Sequence, residues 1–223
     1  MYLVTAATPF ELDPLLRACP PGARFESLVC GVGPVETALR LSVLLARREA
    51  AGAPRYRGVI NIGVAGAYRR PEGGADLLDL CLAEREVLGD LGICDEETIT
   101  SLRSDTLEIV DAFDLDRPLL QEADVLLAGH GIHCRRGTFV TVNCVSATSR
   151  RGDLLARRHD ALCENMEGAA AARVCLEYGL PLLELRCVSN LVEDRDPRTW
   201  RLRAASDRCG RAAALLINGL PHD

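Results

Sequence analysis

Short, almost wholly apolar runs that alternate with amphipathic helical stretches are the feature that most constrains this chain. "MYLVTAA" reads as a buried strand, and a helix is expected from about Pro9 to Ala18. "FESLVCG" reads as a second strand. "PVETALRLSVLLARREAAG" reads as a long amphipathic helix opened by Pro34, whose fixed φ suits a first helical position. "GVINIG" is a third strand that runs into a small-residue turn, "VAGAY". "LLDLCLAEREVLG" and "GTFVTVNCV" follow as strands, and "RRGDLLARRHD" and "EGAAAARVCLEYG" as helices, the second stopped by Gly179. "PLLELRCVSN" is a buried strand, and "TWRLRAASDRCGRAAALLINGL" closes the chain as a helix. Strands that are apolar on both sides and alternate with helices require a sheet covered on both faces. The expectation is an α/β fold: one three-layer sandwich domain over residues 1–223, with a central mixed, largely parallel twisted sheet flanked by helices. The polar stretch from about Asp95 to Gly129 is expected as insertions at a sheet edge.

A chain of 223 residues can bury about 70% of its unfolded surface. Its net charge of −6 argues against nucleic acid, which calls for a basic face. All of its basic residues other than histidine are arginines, which leaves that charge balance unchanged. No apolar run approaches the ~20 residues of a membrane span, and "MYLVTAATPFE" lacks the basic start and long apolar run of a secretion signal. The ten cysteines show no CxxC spacing, and Cys30, Cys81, Cys175 and Cys187 sit in apolar patterns where a thiol packs as a small hydrophobe. A reduced, cytoplasmic protein is therefore expected. "HGIH" sets His130 and His133 three apart with no third ligand nearby, so no metal is expected.

In folds of this kind ligands gather beyond the carboxyl ends of strands. Those ends carry the polar and glycine-rich residues: "TPFE", "CGVGPVETA", "NIGVAGA" and "VSN". "GVGPVE" lacks the third glycine of a dinucleotide fingerprint and the GK[ST] of a phosphate loop, so no cofactor is expected. Singly, each polar residue has an ordinary role. Glu11 and Glu167 suit first-turn helix carboxylates, and Asn190 a turn after a strand.

Jointly they form a set. "TPFE", "CGVGPVETA", "INIGVAGAY", "NMEGAAAARVC" and "LRCVSN" resemble, in order and spacing, the purine nucleosidase and phosphorylase family. The resemblance covers roughly Met1 to Asn190 and breaks down from Asp95 to Gly129. Within the family, "GDLG" at Gly89–Gly92 and "VSN" followed by "DRDPRTW" look like the futalosine hydrolases of an alternative menaquinone pathway. The resemblance implies a nucleoside phosphorylase/hydrolase-like fold, a small nucleoside substrate with water as co-substrate, and a homo-oligomer. It also implies a water-activating role for Glu11, ribose contacts for Met166 and Glu167, and a nucleoside bordered by Ala65 and Gly66. Methylthioadenosine/adenosylhomocysteine nucleosidases and phosphorylases of 6-oxopurine nucleosides are the alternatives within the family. The loop arginines Arg195 and Arg198 are candidates for a substrate tail, or simply solvated charge.

The chemistry fits these residue types. Breaking an N-glycosidic bond builds positive charge on the sugar and negative charge on the base. A carboxylate at Glu167 would answer the first, and a carboxylate at Glu11 would deprotonate the water. Relatives acting on 6-aminopurines carry Asp at the position of Asn190. An amide offers one donor and one acceptor, which matches a 6-oxopurine once its N7 is protonated, so binding strengthens as the bond breaks.

Overall fold

Strand β1 (Tyr2–Ala6) is buried at every position, and α1 (Pro9–Ala18) follows it at once, because Thr8 caps the helix by accepting the Glu11 N–H at 3.3 Å. The computed structural model describes residues 1–70, 72–95, 98–102, 104 and 106–221. Next come β2 (Phe25–Val29) and α2 (Pro34–Ala50), the latter entered through Gly33 at φ 91°. Three longer strands carry the middle of the sheet: β3 (Val59–Ala67), β4 (Leu80–Leu88) and, after a short pair β5 (Ile93–Cys94) and β6 (Ile99–Thr100), β8 (Arg135–Thr141). Between them lie β7 (Ala112–Asp114) and α3 (Arg117–Gly129). The chain continues through α4 (Ser149–His159), β9 (Ala161–Asn165), α5 (Gly168–Tyr178), β10 (Leu182–Leu191) and α6 (Leu202–Gly219).

The sheet is mixed and mostly parallel. β1 runs parallel to β2 and β3, β3 to β10, and β8 to both β4 and β9. β3 pairs with β10 along one edge; its other edge takes β1 on its first half and β9 at Gly66 and Ala67. The path β10–β4–β8–β9–β3 therefore closes on itself, and β1 and β2 extend from it as a wing. One face is covered by α1, α3 and α6 through Leu15, Leu127 and Leu216, the other by α2 and α5 through Leu41 and Cys175. This is the three-layer arrangement expected, with the added curl that closes five strands.

Three local expectations change. "VAGAY" is not a turn: its small residues let β3 continue between β10 and β9 through Ala67. The stretch expected as edge insertions contains α3, capped by Asp116, whose carboxylate accepts the Leu119 N–H at 2.8 Å. Leu119, Leu120, Ala123 and Leu127 are buried there against the core, so this helix belongs to one covering layer. β7 likewise pairs with β4. Glu96, Glu97, Arg103 and Asp105, within the same stretch, lie outside the described residues. Finally, β9 was not expected at all; its five residues are too few to show a period. Among the described residues no helix is long and apolar enough to cross a membrane.

Candidate active site

The carboxyl ends of β1, β3 and β10 and the junction between β9 and α5 meet at a cleft of about 190 Å³. Glu11, Ala65, Gly66, Met166, Glu167 and Asn190, all singled out in the sequence, line it together. Size does not mark the site. A cleft of about 660 Å³ between the ends of α2 and α5 is larger, but its Arg48 is bound to Glu26 at 2.8 Å.

Each side chain is aimed by local structure. Glu11 sits in the first turn of α1 with one oxygen accepting the Thr8 hydroxyl at 2.9 Å and the other the Val64 N–H at 3.1 Å. The Thr-x-x-Glu spacing is that of a capping box, and here its carboxylate also reaches across to β3. Glu167 stands at the N-cap of α5 but does not cap it. Its oxygens instead accept the Gly33 N–H at 3.0 Å and Arg186 Nη1 at 3.3 Å. The cap is supplied by Asn165, whose Oδ1 accepts the N–H groups of Glu167 at 2.9 Å and Gly168 at 2.7 Å. Asn190 owes its direction to a bulge. The register steps from Val188 opposite Ala65 to Asn190 opposite Gly66, leaving Ser189 as the extra residue. Ser189 donates to Asn190 Oδ1 at 2.8 Å.

Arg186 was not singled out in the sequence, and it is the central charge of the site. It is 1% exposed, donates to Glu184 at 2.9 Å and to Glu167 at 3.3 Å, and its Nη2 has no hydrogen-bond partner among the described residues. Burial lowers its pKa, but Glu184, Glu167 and Glu11 outweigh that and hold it above the ordinary arginine value. Gly63 makes the approach possible, since a Cβ there would lie 2.6 Å from Arg186 Nη1 and 2.7 Å from Glu11 Oε1. The signal was present as Glu184 and Arg186 two apart in an apolar strand, hence on one face.

Behind Arg186 lies a second carboxyl. Glu86 and Glu184 are both fully buried, and an oxygen of each lies within 2.4 Å of where a Gly168 Cβ would stand. Burial and the neighbouring Glu184 push the Glu86 carboxyl well above the usual carboxylate range, so it keeps a proton. Asn165 donates to it at 2.5 Å and Thr141 at 2.8 Å.

The loop arginines are placed differently. Arg198 is bound to Asp196 at 2.7 Å, and Arg195 stacks 4.7 Å over the ring of Trp200, which lines the cleft. His130 is engaged at the end of α3, its Nδ1 2.9 Å from the Leu126 carbonyl. Among the described residues no three His, Cys, Asp or Glu side chains gather as a metal site. All ten cysteines are free thiols.

Comparison with known proteins points one way. Residues 26–219 match the family described as the Phosphorylase superfamily. The chain is 36% identical to a futalosine hydrolase of Thermus thermophilus over 201 residues, covering 88% of this chain and 82% of that one. It is 32% identical to a futalosine hydrolase of Streptomyces coelicolor, covering 99% and 98%. Among solved structures, a mutant futalosine hydrolase of Helicobacter pylori superposes with a TM-score of 0.80 at 18% identity, covering 98% of this chain and 99% of that one. A Neisseria meningitidis 5'-methylthioadenosine/S-adenosylhomocysteine nucleosidase in complex with methylthio-immucillin-A does so at 0.80 and 19%, covering 98% and 99%. These two show a shared fold.

Proposed function

The chain belongs to the phosphorylase superfamily, and on that premise we propose that it hydrolyses the N-glycosidic bond of futalosine, releasing hypoxanthine and dehypoxanthinyl futalosine for menaquinone biosynthesis. The observation that carries this reading is the convergence of Glu11, Glu167 and Asn190 on one cleft, with a buried guanidinium between the two carboxylates.

Glu167, already fixed by Gly33 and Arg186, retains acceptor capacity for ribose hydroxyls and faces the charge that develops on the sugar. Met166 packs against the sugar without competing as a nucleophile. Ala65 and Gly66 give the nucleoside a flat strand to lie on. Glu11 takes the proton of the attacking water, while Arg186 Nη2, buried and without a partner among the described residues, supplies a donor that orients that water. Asn190 meets the departing base. Hydrolysis is favoured over phosphorolysis because Glu11, Glu167 and Glu184 set three carboxylates around one guanidinium, a poor seat for phosphate.

The test is to incubate the protein with futalosine, inosine and methylthioadenosine in phosphate-free buffer and identify the released base. Hypoxanthine from futalosine is expected. Adenine as the main product, or dependence on phosphate, would replace this reading with one of its relatives. We also propose a cytoplasmic homo-oligomer formed from a single nucleosidase domain. Free thiols support the first. An exposed stripe on α2, Val35, Leu39 and Val43 at four-residue spacing, supports the second, and sedimentation analysis checks it.

A further inference from the structure

Three adjacent strands bring an amide, a gap and a carboxylate into register. Asn190 of β10 lies opposite Gly66 of β3, and Gly66 lies opposite Glu164 of β9. Residues paired across strands point to the same face, so Asn190 and Glu164 flank the bare backbone of Gly66. A side chain at Gly66 would crowd this face: a Cβ there would stand 3.0 Å from Val192 Cγ2, 3.1 Å from Asn190 Nδ2 and 3.5 Å from Glu164 Cγ. Glu164 is buried and lines the same cleft as Asn190. The proposed hydrolysis gives it no task.

Its surroundings say which task it can do. One oxygen accepts the Ser146 N–H at 2.8 Å; the other accepts the Ser146 hydroxyl at 2.6 Å and the Tyr68 hydroxyl at 3.1 Å. Three donors aimed at a carboxyl favour its ionised form, which only accepts. Two oxygens offer about four acceptor positions, so one is left for a ligand. Burial pushes its pKa up against those bonds, which makes it a stronger acceptor than an exposed carboxylate.

A purine joined at N9 shows N7, the 6-substituent and N1 in sequence along its far edge. In a 6-oxopurine N1 carries a hydrogen and is a donor; in a 6-aminopurine N1 is a bare acceptor. With N7 and O6 beside Asn190, N1 falls on the side of Glu164. We propose, on the premise that the cleft binds a purine nucleoside, that Glu164 is a second base-reading residue whose carboxylate accepts the N1–H of a 6-oxopurine and repels the N1 lone pair of a 6-aminopurine.

The test compares matched 6-oxo and 6-amino nucleosides in the parent and in Glu164→Gln, whose amide can donate to a bare N1. The kcat/KM preference for the 6-oxo substrate should fall by roughly ten- to 150-fold, the range of one well-made base contact. A role confined to holding Ser146 and Tyr68 would lower both substrates alike and leave the ratio unmoved; that result overturns the proposal. A second measurement needs no variant. Hypoxanthine should inhibit the parent at least tenfold better than 1-methylhypoxanthine, which has no N1–H, and equal inhibition by the two also overturns it. A parent that cleaves no 6-oxopurine nucleoside would instead remove the premise, a separate outcome that the parent's own turnover reveals.

Discussion

Glu11 and Asn190 differ in how much the fold asks of them. Glu11 is doubly held, by Thr8 and by Val64, so a change there must separate chemistry from helix capping. Glu11→Gln keeps an oxygen for one of those donors and loses the carboxylate proposed as the base. Turnover should fall by ~10²-fold or more while substrate binding is largely kept, and pre-steady-state binding against kcat checks this. Among the described residues the Asn190 side chain is held by Ser189 and by its own donation to the Leu191 carbonyl at 3.3 Å, so its replacement disturbs little else. Asn190→Asp should shift the ratio of kcat/KM toward 6-aminopurine substrates by roughly ten- to 150-fold, because a carboxylate satisfies the two donors of a protonated 6-aminopurine edge. A ratio that stays put would mean that Asn190 does not face the base. Singly, each had an ordinary reading, Glu11 in the first turn of α1 and Asn190 at the end of β10; they stood out in the sequence only jointly, through the family resemblance of the motifs that carry them.

Arg186 and Glu164 were harder to find, and the reason belongs to whole elements. Polarity inside an apolar strand shows only when its partners are known, and those partners lie on other strands. Arg186 on β10 is paired with Glu167 beside α5 and lies near Glu11 on α1, while Glu164 sits on a five-residue strand with no period of its own. The seam that joins them is β3. Its run of small residues, which reads locally as a turn, is what lets β10, β9 and α1 approach together. Gly63→Ala tests this. An added Cβ would stand 2.6 Å from Arg186 Nη1 and 2.7 Å from Glu11 Oε1, so these side-chain ends, or the strand, must move. Overpacking of this kind costs about 1–3 kcal/mol in stability. The activity loss should match or exceed that of Glu11→Gln, since both the base and its guanidinium neighbour move. A folded Gly63→Ala protein of parental kcat would show that the pair tolerates displacement. The α3 expectation failed for a different reason. "DRPLLQEADVLLAG" carries a cap, an early proline and buried leucines at helical spacing, so the signal was local and was masked by the polar stretch around it.

At the scale of the whole molecule, folding must pass two carboxyls, Glu86 and Glu184, into one dry site among Thr141, Asn165 and the start of α5. Glu86 solves this by keeping its proton, and that choice makes stability depend on pH. Its folded pKa is raised well above the value of 4.5 that it has when exposed, so above that pH the folded chain holds a proton that the unfolded chain has released. Stability therefore falls as pH rises through the window, by about 1.4 kcal/mol per pH unit while the folded group stays protonated. Glu164, also raised, adds in the same direction above its own unfolded value. His159 acts oppositely. Burial, then Arg158, lowers its pKa from 6.5, so the unfolded chain binds the extra proton and stability rises with pH up to about that value. The buried thiols, whose pKa values are raised, count only near and above their ordinary value of 9.0. Between pH 7 and 8 the slope thus belongs to the Glu86 carboxyl. Denaturant unfolding at those two pH values should show the parent losing stability, by at most about 1.4 kcal/mol from this one group. Glu86→Gln, which has no proton to hold, should lose far less over the same step. Its stability at acidic pH, where the parent's proton costs nothing, should be lower than the parent's, because an amide nitrogen that donates to Glu184 cannot also accept from Asn165, as a carboxylic acid hydroxyl can. Equal slopes in the two proteins would mean that Glu86 is ionised in the fold, and that the charge beside Arg186 is larger by one than the geometry requires.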